Sequence, residues 1–459
     1  MKINLRFYRS KIPARAGMVY RVGLSADLFE RLQLEPGSEV TLSCGRRKAK
    51  VRVDPYDAQG RQNLFVLPLS LRRYFLIPPK AGWHLQKQDV RNLRLGPVSA
   101  IITGRSAASG KLFVDGFMSK IVLNAMRRGQ LTFLVAARDI NPYRDCIMGY
   151  LPIVQRGGKI LWRRRLMPFP QVFFNRIPNR TMEKAAAPVL RSLRQAKDTE
   201  LVNDGFFNKW QVYRLLKDQP TASQHLPPTI PFKRQKNVMR FVREFQRVYF
   251  KPIGGSKGNG IIYVKRSGGK YGITYLRYHR PVSVIVAGPE QLWRTLRQLT
   301  QGRLYIAQVA VPLARYKGRP FDIRVSMQKD AQGNWQVAGM AAKTAGLTRI
   351  ATHLINGGHL VPIRSVLDYC FQERAGQLLQ ELIETMTRCS IEMERALGRP
   401  LVELGWDVAF DANGRCWILE CNSRPGRVIF RLSSLREAEK NSIVELLDYF
   451  KNAAGFGDE

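Results

Sequence analysis

Between Gly405 and Arg427 the chain reads GWDVAFDANGRCWILECNSRPGR, and no other stretch constrains the fold as tightly. Two apolar runs of strand length flank DANGR, where Asn-Gly favours a tight antiparallel hairpin. Side chains alternate between faces along a strand. Asp407 on the first strand, and Glu420 and Asn422 two apart on the second, therefore present two carboxylates and an amide oxygen on one face. Trp406, Val408, Trp417 and Leu419 take the other positions. Hard oxygen donors of this kind suit Mg²⁺ or Mn²⁺, and Mg²⁺ is commonly held by few carboxylates together with nucleotide phosphates. The competing reading is an acidic strand face that makes salt bridges within a basic protein.

Upstream, residues 250–261 read FKPIGGSKGNGI. A strand-like run, RVYFKP, leads in, and a second, GIIYVKR, leads out. Glycines let backbone N–H groups approach phosphate oxygens, and lysine supplies charge. The GxxxxGK[ST] order of a P-loop is absent. Lys251 ends the entering strand, and Lys209 in FNKW opens the preceding helix. From those places either ammonium could reach an α- or β-phosphate. Taken alone, each is also an ordinary surface charge, and the loop an ordinary turn.

The ordered set FFNKWQVYRLL, LPPTIP, YFKPIGGSKGNGIIYV, LYIAQVAV, GRPFDIRVSMQ and GWDVAF…WILECNSRPG resembles the successive signatures of the ATP-grasp superfamily over residues 206–430. It is similar to the RimK-type glutamate ligases, and more so to the YheC/YheD family of endospore-coat-associated ATP-grasp proteins. With that family the likeness extends upstream through LRLGPVSAII, QVFFNRIPNR and DGFFNKW. The resemblance implies ATP and Mg²⁺ as cofactors, ATP-dependent ligation of a carboxylate to an amine, and association with the spore coat.

It also implies roles for residues. Lys209 and Lys251 contact nucleotide phosphates, and the loop Gly254, Gly255, Ser256, Lys257, Gly258 to Gly260 closes over them. The hinge strand AQVAV brings Gln308 and the backbone of Val309 and Val311 to adenine. Many ATP-grasp hinges carry Glu where Val309 stands here, which leaves only a backbone contact. Asp322 reaches ribose, Arg324 the phosphates or an acyl phosphate, and Lys343 the phosphate clamp. In THLINGG, His353 occupies the place of an Asn and lies near the γ-phosphate. Asp407, Glu420 and Asn422 are the metal ligands.

The expected fold class is α/β (α+β) and multidomain. Residues 1–95 read as a β-rich, small barrel-like domain. Its segments Leu24–Gly45 and Leu67–Gln86 look alike, as in a duplicated barrel of swapped-hairpin or double-psi type. Residues 96–205 alternate strand and helix, which implies a parallel sheet with covering helices; the resemblance makes this a Rossmann-like pre-ATP-grasp domain. Residues 206–280 form the ATP-grasp N-subdomain with the glycine-rich loop, and 281–455 the C-subdomain with the metal site. Within 159–180, Arg163, Arg164 and Arg165 beside Trp162 suggest either polyanion binding or a solvated loop.

Charge decides which functions stay open. Lys and Arg number 75 against 35 Asp and Glu, a formal net charge of +40. Such an excess suits a polyanionic partner or carboxylate substrate, such as a peptide, a γ-glutamyl chain or a cell-wall polymer. Two other classes remain: a nucleotide-binding coat or scaffold protein without turnover, and a nucleic-acid binder using strands such as LRFYR and LRRYF of the N-terminal domain. The N-terminus lacks the continuous apolar core of a signal peptide, and no apolar run approaches membrane-spanning length. Synthesis and retention in the cytosol are expected. Cys416 and Cys421, an odd offset apart, are expected on opposite strand faces, and all six cysteines reduced.

Overall fold

A computed structural model describes residues 1–9, 18–79, 82–255, 259–278, 280–344 and 359–457. Ser256, Lys257, Gly258 and His353 lie outside the described residues. The chain forms two compact units. One comprises Met1–Gly205, Lys329–Asn334 and Ser442–Glu459; the other comprises Phe206–Gln328 and Trp335–Asn441.

The first unit begins with seven strands: β1 (Lys2–Tyr8), β2 (Tyr20–Leu24), β3 (Glu39–Cys44), β4 (Arg47–Pro55), β5 (Leu64–Pro68), β6 (Trp83–Asp89) and β7 (Asn92–Gly96). They close into a barrel in the order β1-β5-β2-β4-β3-β7-β6. The short helices α1 (Ala26–Leu32) and α2 (Leu69–Tyr74) follow β2 and β5. Each look-alike segment thus contributes part of a strand–helix–hairpin. Alternation fills the interior with Val22, Leu24, Leu42, Val51, Val53, Phe65 and Leu67. LRRYF, expected as a strand, is mostly helix α2: Leu71 points inward while Arg72 and Arg73 face out in the last turn.

The second sheet of this unit contains β8 (Val98–Thr103), β9 (Leu131–Ala136), β10 (Cys146–Val154), β11 (Ile160–Pro168), β12 (Val172–Asn175) and β13 (Glu200–Val202), in the order β11-β10-β9-β8-β12-β13. Helices α3 (Gly116–Arg128) and α4 (Arg180–Gln195) connect parallel strands. Asp115 and Asn179 cap them, each side chain accepting from a backbone N–H three residues on. The sheet is mixed. Strands β9, β8, β12 and β13 run parallel, but β10 and β11 add an antiparallel hairpin. The Arg163–Arg165 segment therefore lies in an edge strand of this sheet and not in a loop.

The second unit opens with α5 (Lys209–Leu216). Strands β14 (Thr229–Pro231), β15 (Arg247–Pro252), β16 (Ile262–Ser267), β17 (Lys270–Arg277), β18 (Arg280–Ala287) and β19 (Tyr305–Val309) form a sheet in the order β14-β19-β15-β16-β17-β18. Helices α6 (Gln235–Phe245) and α7 (Gly288–Thr300) pack on it through Val238, Val242, Leu292 and Leu296. The sheet that carries the glycine-rich loop thus runs on to Val309, beyond the expected boundary at 280. That boundary cuts it at the first residue of β18 and leaves α7 and β19 beyond it.

The last sheet contains β21 (Arg319–Lys329), β22 (Trp335–Thr344), β23 (His359–Val361), β24 (Glu403–Phe410) and β25 (Cys416–Asn422), in the order β23-β22-β21-β24-β25; the two-residue β20 (Arg315–Tyr316) pairs with β21. Helices α8 (Ile363–Phe371) and α9 (Ala375–Leu397) share its core through Leu367, Leu378, Leu382, Met386 and Trp406. Gly398 ends α9 in the left-handed conformation. A final helix, α10 (Arg436–Ala453), follows.

Candidate functional site

The hairpin β24–β25 forms as the sequence indicates. Its turn is closed by Asp411, whose carboxylate accepts from the backbone N–H groups of Asn413 and Arg415, both at 3.0 Å. Asp407 lies opposite Glu420, and Gly405 opposite Asn422, so the three oxygen-bearing side chains share a face. The register shifts between Asp407 and Val408, where Glu420 and Ile418 are successive partners and Leu419 is left over as a bulge. This bulge corrects two expectations. Trp417, opposite Ala409, falls on the face of Asp407 and donates its indole N–H to Asp411 at 3.0 Å. Cys416 and Cys421 both turn into the core, where burial raises each thiol. All six cysteines are free thiols.

Neighbouring strands lay charge across the same face. Arg324 on β21, opposite Asp407, donates Nε and Nη2 to its two carboxylate oxygens at 2.9 and 2.8 Å. Lys343 on β22 donates to Asp407 at 2.8 Å and lies 2.7 Å from Asp322. Asp322, Lys343 and Asp407 are all buried. Burial alone would raise the Asp407 carboxyl; Arg324 and Lys343 overcome it and hold it well below the usual carboxylate range. Burial pushes Asp322 up to about 7 against the pull of Lys343, and the Asp407 charge beside it adds to the rise. The Asp322 carboxylate is turned to Lys343 through Oδ1.

At the far end of the row, Lys209 lies 3.2 Å from Glu420 Oε1 and donates to the carbonyl of Gly255 at 2.8 Å. Its position follows from the helix start: Asn208 caps α5 by accepting from the Gln211 N–H at 2.8 Å. The glycine-rich loop leaves β15 with Gly255 so close to Pro252 that a Cβ there would sit 2.5 Å from the proline ring. It returns through Gly260 at φ +76°, a conformation that side chains resist, and the Gly260 carbonyl accepts from the Tyr305 hydroxyl at 2.9 Å.

Lys251, on β15, donates to Gln308 Oε1 at 2.6 Å, and Gln308 Nε2 donates to Thr229 at 3.0 Å. Burial, with the Lys209 charge nearby, pushes the Lys251 ammonium down to about 8 against the pull of Glu420. Sequence reasoning puts Gln308 at the hinge but misses that it positions Lys251, and misses Thr229 altogether. The contact depends on β19 lying between β14 and β15, a non-local pairing without a local signal. The backbone N–H of Val309 donates to the Pro228 carbonyl at 3.0 Å. It is thereby engaged within the protein.

The donor set fits a hard divalent cation. Glu420 and Asn422 are partly exposed on the hairpin face. Asp407 fits by sharing through Oδ2 alone: Oδ1 accepts from both Arg324 and Lys343, whereas Oδ2 accepts from Arg324 only and retains a second lone pair.

A family model described as YheC/D like ATP-grasp matches residues 198–452. The endospore coat-associated protein YheD of Bacillus subtilis (strain 168) is 27% identical over 380 residues, 82% of this chain and 82% of that protein. The endospore coat-associated protein YheC of the same strain is 25% identical over 278 residues, 60% of this chain and 76% of that protein. Among solved structures, the ATP-grasp ligase PsnB complexed with a minimal precursor aligns at 12% identity and a TM-score of 0.45, covering 77% of this chain and 99% of its own. D-alanyl-alanine synthetase A from Vibrio cholerae O1 aligns at 12% identity and a TM-score of 0.44, covering 78% and 98%.

Proposed function

Because the chain belongs to the YheC/D-like ATP-grasp family, we propose that it is an ATP-dependent carboxylate–amine ligase that works through an acyl phosphate. The observation that carries this reading is the row of paired charge on one sheet face, Lys343, Asp322, Arg324, Asp407 and Glu420, completed by Lys209 from α5. A nucleotide's phosphates would take over the cations, and the carboxylates so released would be open to a metal.

In this reading Lys251 and Lys209 hold the α- and β-phosphates, with the Gly254–Gly260 loop above them. Gln308 keeps the Lys251 ammonium aimed, and Val311 faces the adenine. Glu420, Asn422 and a shared Asp407 would hold Mg²⁺, which supplies charge neutralisation between phosphates when bound. The substrate carboxylate oxygen attacks the γ-phosphorus and ADP leaves. An amine then attacks the acyl carbon, loses a proton, and expels inorganic phosphate. Arg324 and Lys343 stabilise the negative charge that builds on the transferring phosphoryl oxygens. His353 is assigned to the γ-phosphate on the THLINGG resemblance alone.

A second reading is favoured by the coat-associated relatives: a nucleotide-binding protein of the spore coat without turnover, anchored by its +40 charge to an acidic layer. Among the described residues, no helix is long and apolar enough to cross a membrane. Incubation with Mg·ATP and pooled amino acids and small carboxylates separates the readings. The ligase releases ADP only when a substrate carboxylate is present, whereas the coat protein binds nucleotide and releases none.

Glu420→Gln is expected to weaken Mg·ATP binding by about tenfold, the scale of one charged contact. Its thermal stability should hold, because the side chain is partly exposed and Lys209 keeps its bond to Gly255. Calorimetric titration checks it. Unchanged affinity in both Glu420→Gln and Asn422→Ala would make the hairpin face structural.

A further inference from the structure

We infer that the outer edge of β11 is a docking strand for an extended acidic peptide. The strand ends its sheet: it pairs with β10 from Ile160 to Pro168, and among the described residues no strand pairs with its other edge. That edge offers backbone N–H and C=O groups in strand geometry.

Its side chains specify the partner. From Cys146 to Pro168 the hairpin carries Arg156, Lys159, Arg163, Arg164 and Arg165, with no Asp or Glu. Leu161, Arg163 and Arg165 alternate onto one face, and Trp162, Arg164 and Leu166 onto the other. Among the described residues, Asp139, on the neighbouring 3₁₀ turn, is the acidic group that approaches these arginines. It lies 3.7 Å from Arg164 but is held at 2.7 Å by Arg105.

Charge alone would be the ordinary way to blunt a sheet edge against self-association. The hairpin also exposes Ile153, Val154, Leu161 and Leu166, at 43%, 57%, 43% and 44%. Apolar exposure between arginines works against blunting and in favour of contact. Strand addition supplies main-chain hydrogen bonds, and alternating side chains supply selectivity. Guanidinium groups pair with carboxylates bidentately, which fits a peptide alternating acidic and apolar residues. A second copy of this chain fits poorly, because it would set arginines against arginines.

The inference does not rest on the ligase reading, and its test uses no ATP. A fluorescent peptide of about ten alternating Glu and Val residues, the length of the strand, is titrated into the full chain at physiological salt. The same peptide N-methylated at alternate amides is the second probe. Duplex DNA is the competitor. We expect saturable peptide binding, slowed hydrogen exchange in Ile160–Pro168, and a loss of at least about tenfold both for the N-methylated peptide and for Arg163→Glu/Arg164→Glu/Arg165→Glu. Lys233→Glu/Lys236→Glu/Arg240→Glu, with equal charge change on an exposed helix region, should lose far less. Equal binding of the N-methylated peptide, equal loss in the two triple variants, displacement by DNA at matched charge, or a peptide-free dimer that buries β11 would each overturn the proposal. The N-methylated probe decides the matter even where the arginine variant fails to fold.

Discussion

Replacing Asp407 with Ala is expected to destabilise the second unit by about 3–5 kcal/mol, the cost of removing one partner from a buried ion pair. Both Asp407 oxygens are hydrogen-bonded to cations, Arg324 through two N–H groups and Lys343 through one. Without that carboxylate, the buried Lys343 keeps Asp322 and the largely buried Arg324 keeps the weaker pull of Asp322 and Glu420. The penalty is mostly theirs, since an unpaired charge cannot leave β21 or β22 without moving the sheet. Glu420→Ala removes a partly exposed carboxylate and should cost no more than about 1 kcal/mol. Denaturant unfolding of both variants, followed by tryptophan fluorescence, measures the contrast. Similar small losses would mean that water reaches the Asp407 cluster and that the row of charge is loosely held.

Lys251→Met is expected to lower Mg·ATP affinity by at least about tenfold, from the ~1.5–3 kcal/mol that a hydrogen bond to a charged group contributes. The ammonium is aimed by Gln308, which is itself buried and tied to Thr229. Little side-chain freedom is therefore lost on binding. Lys257, set among glycines in the sequence, should matter much less, with a loss of only ~0–1 kcal/mol, the scale of a surface ion pair.

A pH signature accompanies the Lys251 effect. In the free site the ammonium titrates near 8, and phosphate contact raises that value. Below pH 8 the group is charged with or without nucleotide, so it contributes no slope to the affinity. Above it, binding must take up a proton, and affinity falls by up to about tenfold per pH unit until the bound-state value is reached. Calorimetry in buffers of different ionisation enthalpy reads that uptake directly. Lys251→Met should abolish the slope, and a slope that persists would assign the titration to another group.

The sequence exposes the parts of this site whose geometry is local. DANGR specifies its own turn, Asp407 and Glu420 follow from strand period, and glycines mark the loop that Lys209 contacts. What stays hidden is non-local or irregular. Nothing in WILEC announces that Leu419 is bulged, yet that single extra residue puts Cys416 and Cys421 on the same side. The strand β18 has a weak inward pattern because it lies at a sheet edge: Arg280 and Pro281 open it, and Ile285 is exposed at 75%. The pairing of Asp407 with Arg324 and Lys343 is not legible either, since it requires knowing that β21 lies between β22 and β24. LRRYF misleads for a different reason: mixed basic and aromatic residues suit a short amphipathic helix as well as a strand.

In the proposed reaction a carboxylate is activated at the γ-phosphate beside this row of charge. Its most direct test supplies Mg·ATP, pooled amines and a pool of carboxylates labelled with heavy oxygen, then weighs the inorganic phosphate released. An acyl phosphate transfers one carboxylate oxygen to phosphate when the amine displaces it, so labelled phosphate should accumulate in step with ADP. Lys251→Met and Glu420→Gln should both suppress it. Carboxylate-dependent ADP release with unlabelled phosphate, or saturable Mg·ATP binding with no ADP release from any pool, would contradict the account.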